Sequence, residues 1–214
     1  MKIPAQALLL LAAAFPARPA AGDVLAVVPA GDGIRVKVGK QGFLSVLAHD
    51  HDFEVTRWSG KAEIPEGDPS RASLELTVDA GSLRDRAPGM LTADRRVVDS
   101  KTAGPEVLDA ARYPQITFRS ERVDVDAPGE AEAARGTLHG TLSLHGREGP
   151  VEATFQARRL GGAWQVRGEL RFRQSDFGIR PYVGFGGSIG VKDEVQVRFE
   201  VELRPAEPAG GGHG

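Results

Sequence analysis

The sequence predicts an all-β fold: an antiparallel, eight-stranded up-and-down barrel with one short helical segment. Three observations carry that prediction. Apolar and polar residues alternate with a period of two over most of the chain, tight-turn signals separate the alternating runs, and only one stretch has helical character.

The first 22 residues stand apart from the fold. Lys2 supplies a positive start, Ala5 to Phe15 an apolar run, and Ala20-Ala21-Gly22 a small-residue cleavage site, the pattern of a secretory signal peptide. The apolar run is too short to span a bilayer. Export is therefore expected, to the periplasm or beyond, with residues 23–204 forming one barrel domain and 205–214, rich in Gly and Pro, a disordered tail. The chain has no cysteine, so nothing in it depends on disulfides. At about 190 residues the mature domain is large enough to bury a core without them. Removing Lys2 and Arg18 with the signal leaves 25 basic against 29 acidic residues. The signs are interspersed, which excludes the concentrated basic face that nucleic acid needs.

Alternation marks the strands in order. Shorter runs at Gly33–Val38 and Phe43–Ile64 come first, then Ala72, Leu74, Leu76, Val78 and Ala80 against Ser73, Glu75, Thr77 and Asp79. Ile116–Val125 and Leu138–Leu144 follow. Val151, Ala153, Phe155 and Ala157 then alternate with polar neighbours, as do Trp164 to Phe172 and Val195 to Leu203. Turns are expected at Pro29–Gly33, Pro65–Pro69, Gly146–Pro150 and Gly161-Gly162, the last a hairpin signal. The helical region is Thr92 to Ala111, with Ala93–Lys101 helical and Pro105 at the first position of a second short helix ending near Ala110. Eight one-sided strands with so little helix to cover them must bury their dry faces against one another. Closure into a barrel does this and also removes exposed edges. An interior of eight strands either fills with side chains or holds one small ligand, and alternation does not distinguish the two.

The histidines pose the functional question. His49 and His51, in the stretch AHDHDF, share a parity with Phe43, Leu47, Phe53 and Val55, so on a regular strand both imidazoles face the barrel interior. Two imidazoles suggest a metal, but a third ligand is missing. The cupin-like run Gly42, His49, His51, Glu54 puts Glu54 on the opposite face, while His139 and His145 share a wet parity and His213 lies in the tail. No metal or cofactor is expected. Gly186-Gly187-Ser188-Ile189-Gly190 matches a nucleophile elbow in letters only, because no α/β context surrounds it and no suitable acid and histidine follow. No catalytic residue is assigned.

Phe118, Phe155, Trp164, Phe172 and Phe199 fall at dry-face positions, while Phe177, Tyr182 and Phe185 cluster in one loop. For any one of them core packing is the simpler reading. As a set they suit an elongated apolar ligand.

Several segments together carry a family likeness: GSLRD (81–85), VLDAARYPQITFRSERV (107–123), GTLHGTLSLHGREGPVEATF (136–155), FRQSDFGI (172–179) and VKDEVQVRFEVEL (191–203). In this order the chain, from about Ile34 to Leu203, resembles the YceI-like polyisoprenoid-binding family. That resemblance implies a lipocalin-like antiparallel barrel, usually periplasmic, that holds an isoprenoid or similar long-chain amphiphile and performs no catalysis. A histidine near the position of His49 is common in the family; here it is doubled. The expected wall residues are Phe53, Phe118, Leu142, Phe155, Trp164, Phe172 and Phe199, with Phe177, Tyr182 and Phe185 at the mouth. His49 and His51 are expected at the ligand's polar head. Two rivals stay open, a metal-dependent enzyme built on His49 and His51 and a filled barrel acting as a protein-interaction module. Transient membrane contact and a dimer also stay open.

Overall fold

The computed structural model describes residues 23–42, 50–65, 69–126 and 133–206. The expected signal segment, most of the expected tail, the turn at 66–68 and the stretch 43–49 with His49 lie outside the described residues.

Among the described residues, eleven strands and one α-helix follow in order: β1 (Asp23–Gln41), β2 (His51–Val55), β3 (Trp58–Ile64), β4 (Ser73–Asp79), β5 (Leu83–Asp85), α1 (Thr92–Ala103), β6 (Gln115–Val125), β7 (Ala133–Leu144), β8 (Arg147–Leu160), β9 (Ala163–Arg173), β10 (Val183–Gly184) and β11 (Ile189–Pro205). Each long strand pairs antiparallel with the next, in the order β1-β3-β4-β6-β7-β8-β9-β11, and β11 returns to β1. The result is a closed, eight-stranded up-and-down barrel.

The extra short strands are pieces of these eight. The second half of β1 (Arg35 to Val38) pairs with β2, and β2 with β5, so β2–β3 and β4–β5 are two long strands each broken once. The breaks at Thr56-Arg57 and Ala80–Ser82 lie at one level and satisfy each other. The Thr56 amide and hydroxyl donate to the Ser82 carbonyl, the Ser82 hydroxyl to the Arg57 carbonyl, and the Asp79 amide to the same Arg57 carbonyl. Buried backbone groups freed by a break need partners, and here each break supplies the other's.

Three turn and helix expectations are corrected. Pro29–Gly33 is not a turn but a bulge inside β1: the register jumps from Pro29↔Val201 to Ile34↔Phe199, so four residues of β1 oppose Glu200 alone. Gly31 and Gly33 take positive φ there, which is what the extra residues require. The β7–β8 turn is tighter than expected, with only His145 and Gly146, both at positive φ, before β8 begins at Arg147. Reversal there takes His145 off the wet face, and its ring packs edge-on against Tyr113 at 5.3 Å. The second short helix does not form. The amides of Leu108, Asp109 and Ala110 donate to the carbonyls of Thr102, Gly104 and Ala103 instead. This wraps the chain around the end of α1 and drives Leu108 into the core.

The inner faces carry the core, with Ile34, Phe53, Val55, Phe118, Leu142 and Val151 among its buried residues. Gly140 and Gly168 are among the glycines of that inner face. Gly168 opposes Phe155 on one side and Phe199 on the other, and a Cβ there would meet the Thr154 carbonyl and the tip of the Phe199 ring. A Cβ at Gly140 would meet the Arg119 carbonyl and the Phe118 ring. Gly168→Ala therefore overpacks a closed wall, and chemical denaturation should show it less stable by about 1–3 kcal/mol.

Outside, charges pair across strands. Asp79 accepts two hydrogen bonds from Arg57 and one from the Gly81 amide, and the Arg57 bond is the main reason its carboxyl is held below the ordinary value of 3.8. A depressed carboxyl contributes stability that is fully present above its unfolded value and is lost as pH falls. Asp79→Asn should therefore lose part of the wild type's fall in thermal stability below that pH. The effect should be small, because the pair is exposed.

Candidate functional site

Inward side chains leave the barrel axis open. The cavity measures about 580 Å³, a volume typical of small-molecule sites. Its polarity is graded from end to end. Toward the Gly161-Gly162 hairpin the lining is almost wholly apolar: Ile64, Ala72, Val125, Ala134, Trp164 and Leu203, with Ser73 beside them. The middle is walled by Phe118, Leu142, Phe155 and Phe199. At the end under α1 the lining turns polar, with His51, Lys101, Thr102, Glu106, Gln174, Arg180 and Tyr182.

All seven expected wall residues (Phe53, Phe118, Leu142, Phe155, Trp164, Phe172 and Phe199) lie on this lining. Tyr182 stands at the mouth, 57% exposed, with the Lys101 ammonium 5.8 Å from its ring centroid. Phe177 is a correction. It is 1% exposed and off the cavity wall, packed edge-on against Phe172 at 5.3 Å. The chain forms a 3-10 turn over Gln174–Phe177 that ends in a left-handed Gly178, which tucks the ring under the sheet rather than into the mouth. The Phe185 backbone joins a turn beside β10, and its side chain, like His49, lies outside the described residues.

His51 has a defined setting. Its parity with the buried Phe53 and Val55 turns it inward, as alternation requires, while Asp52 and Glu54 turn outward to Arg35 and Arg86. The hydrogen bond between Arg35 and Asp52 pushes the Arg35 guanidinium above its ordinary range. Inside, His51 Nδ1 lies 2.6 Å from Asp85 Oδ2. The Asp85 side chain is fully buried, and its other oxygen, Oδ1, accepts from the Ala87 amide at 2.7 Å. The His51 ring stacks on Phe53, centroids 5.6 Å apart. Among the described residues no group of three or more His, Asp or Glu is arranged to hold a metal. His139 sits on the outer surface between Asp124 and Glu152.

Sequence reasoning missed Asp85, Lys101, Thr102, Glu106, Gln174 and Arg180. Continued past Ala80, the parity of β4 would turn Asp85 outward; the strand break at Ala80–Ser82 shifts it, so that Asp85 shares the inner face with Leu83. The others come from irregular or helical segments, where a period of two says nothing.

The mouth is covered by α1, none of whose residues is fully buried. Polar bonds to β5 and the turn after it hold the helix down. Asp99 accepts from the Asp85 amide, and Arg95 donates to the carbonyls of Asp85 and Ala87. Val98 adds an apolar contact to the core. Asp99→Ala removes one of these clamps, worth about 1 kcal/mol. Hydrogen exchange of the α1 amides should quicken several-fold while the barrel strands keep their protection.

The comparisons with known proteins agree on the fold. BcnA of Burkholderia cenocepacia aligns with a TM-score of 0.57 at 22% identity, over 79% of this chain and 95% of that one. A polyisoprenoid binding domain from Saccharophagus degradans, described as implicated in plant cell wall breakdown, aligns at 0.56 and 17% identity over 86% and 99%. The Campylobacter jejuni YceI protein aligns at 0.51 and 18% over 72% and 85%. No curated protein matches the sequence. The family model described as the YceI-like domain matches residues 27–203, and this chain belongs to that family.

Proposed function

We propose that the protein is an exported carrier that holds one isoprenoid or similar long-chain amphiphile in its barrel lumen. The observation that carries this reading is the graded cavity, apolar but for Ser73 and Thr117 from its hairpin end through the aromatic middle, with its charged groups and His51 gathered under α1. An amphiphile has that same gradient. Its chain leaves water for the lumen with about 0.8 kcal/mol per methylene buried, while its head stays at the mouth near His51. The seven wall residues and Tyr182 at the mouth, together with the structural likeness to a domain described as polyisoprenoid binding, support the same ligand class. The apolar run Ala5 to Phe15 supports export to the periplasm or beyond. Exposed Leu91, Val97, Tyr182 and Val183 near the mouth suit brief contact with a lipid surface during loading. The open lumen disfavours the filled-core interaction module.

Native mass spectrometry of the protein purified from its own host, before and after organic extraction, tests the reading. A discrete extra mass that extracts as lipid supports it. A bare-chain mass points to the interaction module, and a metal-sized increment to the enzyme. Filling the lumen gives a second check. Val197→Trp places a ring in the cavity, so the lipid mass should disappear, while the thermal midpoint of the ligand-free barrel should fall by no more than a few degrees.

A further inference from the structure

Within the carrier reading, on which this inference rests, the head-group chemistry follows from how His51 is held. A neutral imidazole has one N–H and one lone pair, and the partner of one nitrogen decides the role of the other. His51 Nδ1 faces Asp85 Oδ2 at 2.6 Å, and a carboxylate only accepts, so the proton sits on Nδ1. Asp85 is itself fixed: its side chain is fully buried and its second oxygen takes the Ala87 amide. Stacking on Phe53 fixes the ring plane. In the neutral ring Nε2 is then left as a bare acceptor. Among the described residues it has no partner, and no buried side-chain nitrogen or oxygen is left unpaired. Nε2 is therefore accessible, on a side chain that lines the cavity and is 22% exposed.

We infer that His51, locked by Asp85, is a recognition site for a hydrogen-bond-donating head: the hydroxyl of a long-chain alcohol or phenol. A carbonyl or ether head offers only lone pairs and would face the lone pair of Nε2. This reverses the simplest expectation for an inward histidine, that it donates to a quinone-type carbonyl. A site built to accept from a hydroxyl discriminates against the analogue lacking the proton, because its own acceptor is then left unpaired.

The test uses geranylgeraniol and its methyl ether, which differ only in the donor, titrated against the delipidated mature protein and followed by intrinsic tryptophan fluorescence. Nitrogen NMR of His51 in the same protein reads the tautomer. The expected result is a proton on Nδ1 alone and about tenfold tighter binding of the alcohol. Asp85→Asn should invert the histidine. The asparagine carbonyl must take the Ala87 amide, so its NH₂ faces Nδ1 and moves the proton to Nε2. An alcohol and an ether both accept from an N–H, so the preference should fall to about twofold or less. His51→Leu should abolish the preference while still binding both chains, and it carries the test with the wild-type NMR if the asparagine variant does not fold. Equal binding of the two ligands by the wild type, or a proton on Nε2, overturns the inference and leaves the carrier reading standing. Binding of neither ligand overturns both.

Discussion

The ladder between β1 and β11 is the constraint on which everything else depends. It runs from Leu25↔Pro205 to Gln41↔Gly190, and without it the eight strands would form an open sheet with two raw edges and no interior. Closure requires a strand that can serve two neighbours whose registers do not match. On its other side β1 meets β3 along its first half and β2 along its second. The bulge at Pro29–Ile34 and a second irregularity between Val38 and Lys40 absorb the difference. Bulges bend a strand and increase its twist, which is what a small barrel needs at its seam.

Closure alone does not make a lumen, since eight-stranded barrels commonly fill with side chains. Here the walls are thinned and the large rings laid flat. Ala62, Ala153 and Ala157 line the cavity with little bulk. Phe118 and Phe199 fold their ring tips over Gly140 and Gly168. A ring resting on a glycine lies along the wall, and with a side chain at that glycine it would be pushed toward the axis. The glycines therefore help keep the axis open as well as letting the strands curve.

Much of this was legible in the residues because a half-buried strand has to alternate. The parity of Val151–Ala157, Trp164–Phe172 and Val195–Leu203 placed Phe155, Trp164, Phe172 and Phe199 on the lumen side without reference to any coordinates. Parity also turned His51 inward. Legibility failed where the backbone leaves its period. Pro29–Gly33 looks like a turn because bulges and turns draw on the same glycines. Pro105 looks like a helix start because the competing bonds, from Leu108 to Ala110 back onto the end of α1, are not local in pattern. Phe177 looks like a mouth residue because its position is set by a left-handed glycine at 178, not by alternation. Asp85 was hidden for a similar reason, being three residues past a strand break whose stabilising partners lie on another strand.

Asp85 also shows how the barrel wall, the inward His51 and the cover over the mouth are joined. Its carboxylate orients His51 toward the lumen, its amide donates to Asp99 and its carbonyl accepts from Arg95. One residue on a three-residue strand thus contacts His51 through its side chain and α1 through its backbone. Leaving a fully buried carboxylate without partners would cost several kcal/mol, so His51 and the Ala87 amide hold it in place as much as it holds them. The backbone bonds to α1 are weaker individually and lie nearer solvent. Under load, the helix is therefore the part of this cluster that gives way first. Loosening of α1 at these bonds leaves the hydrogen bond between His51 and Asp85, and that between Asp85 and the Ala87 amide, in place.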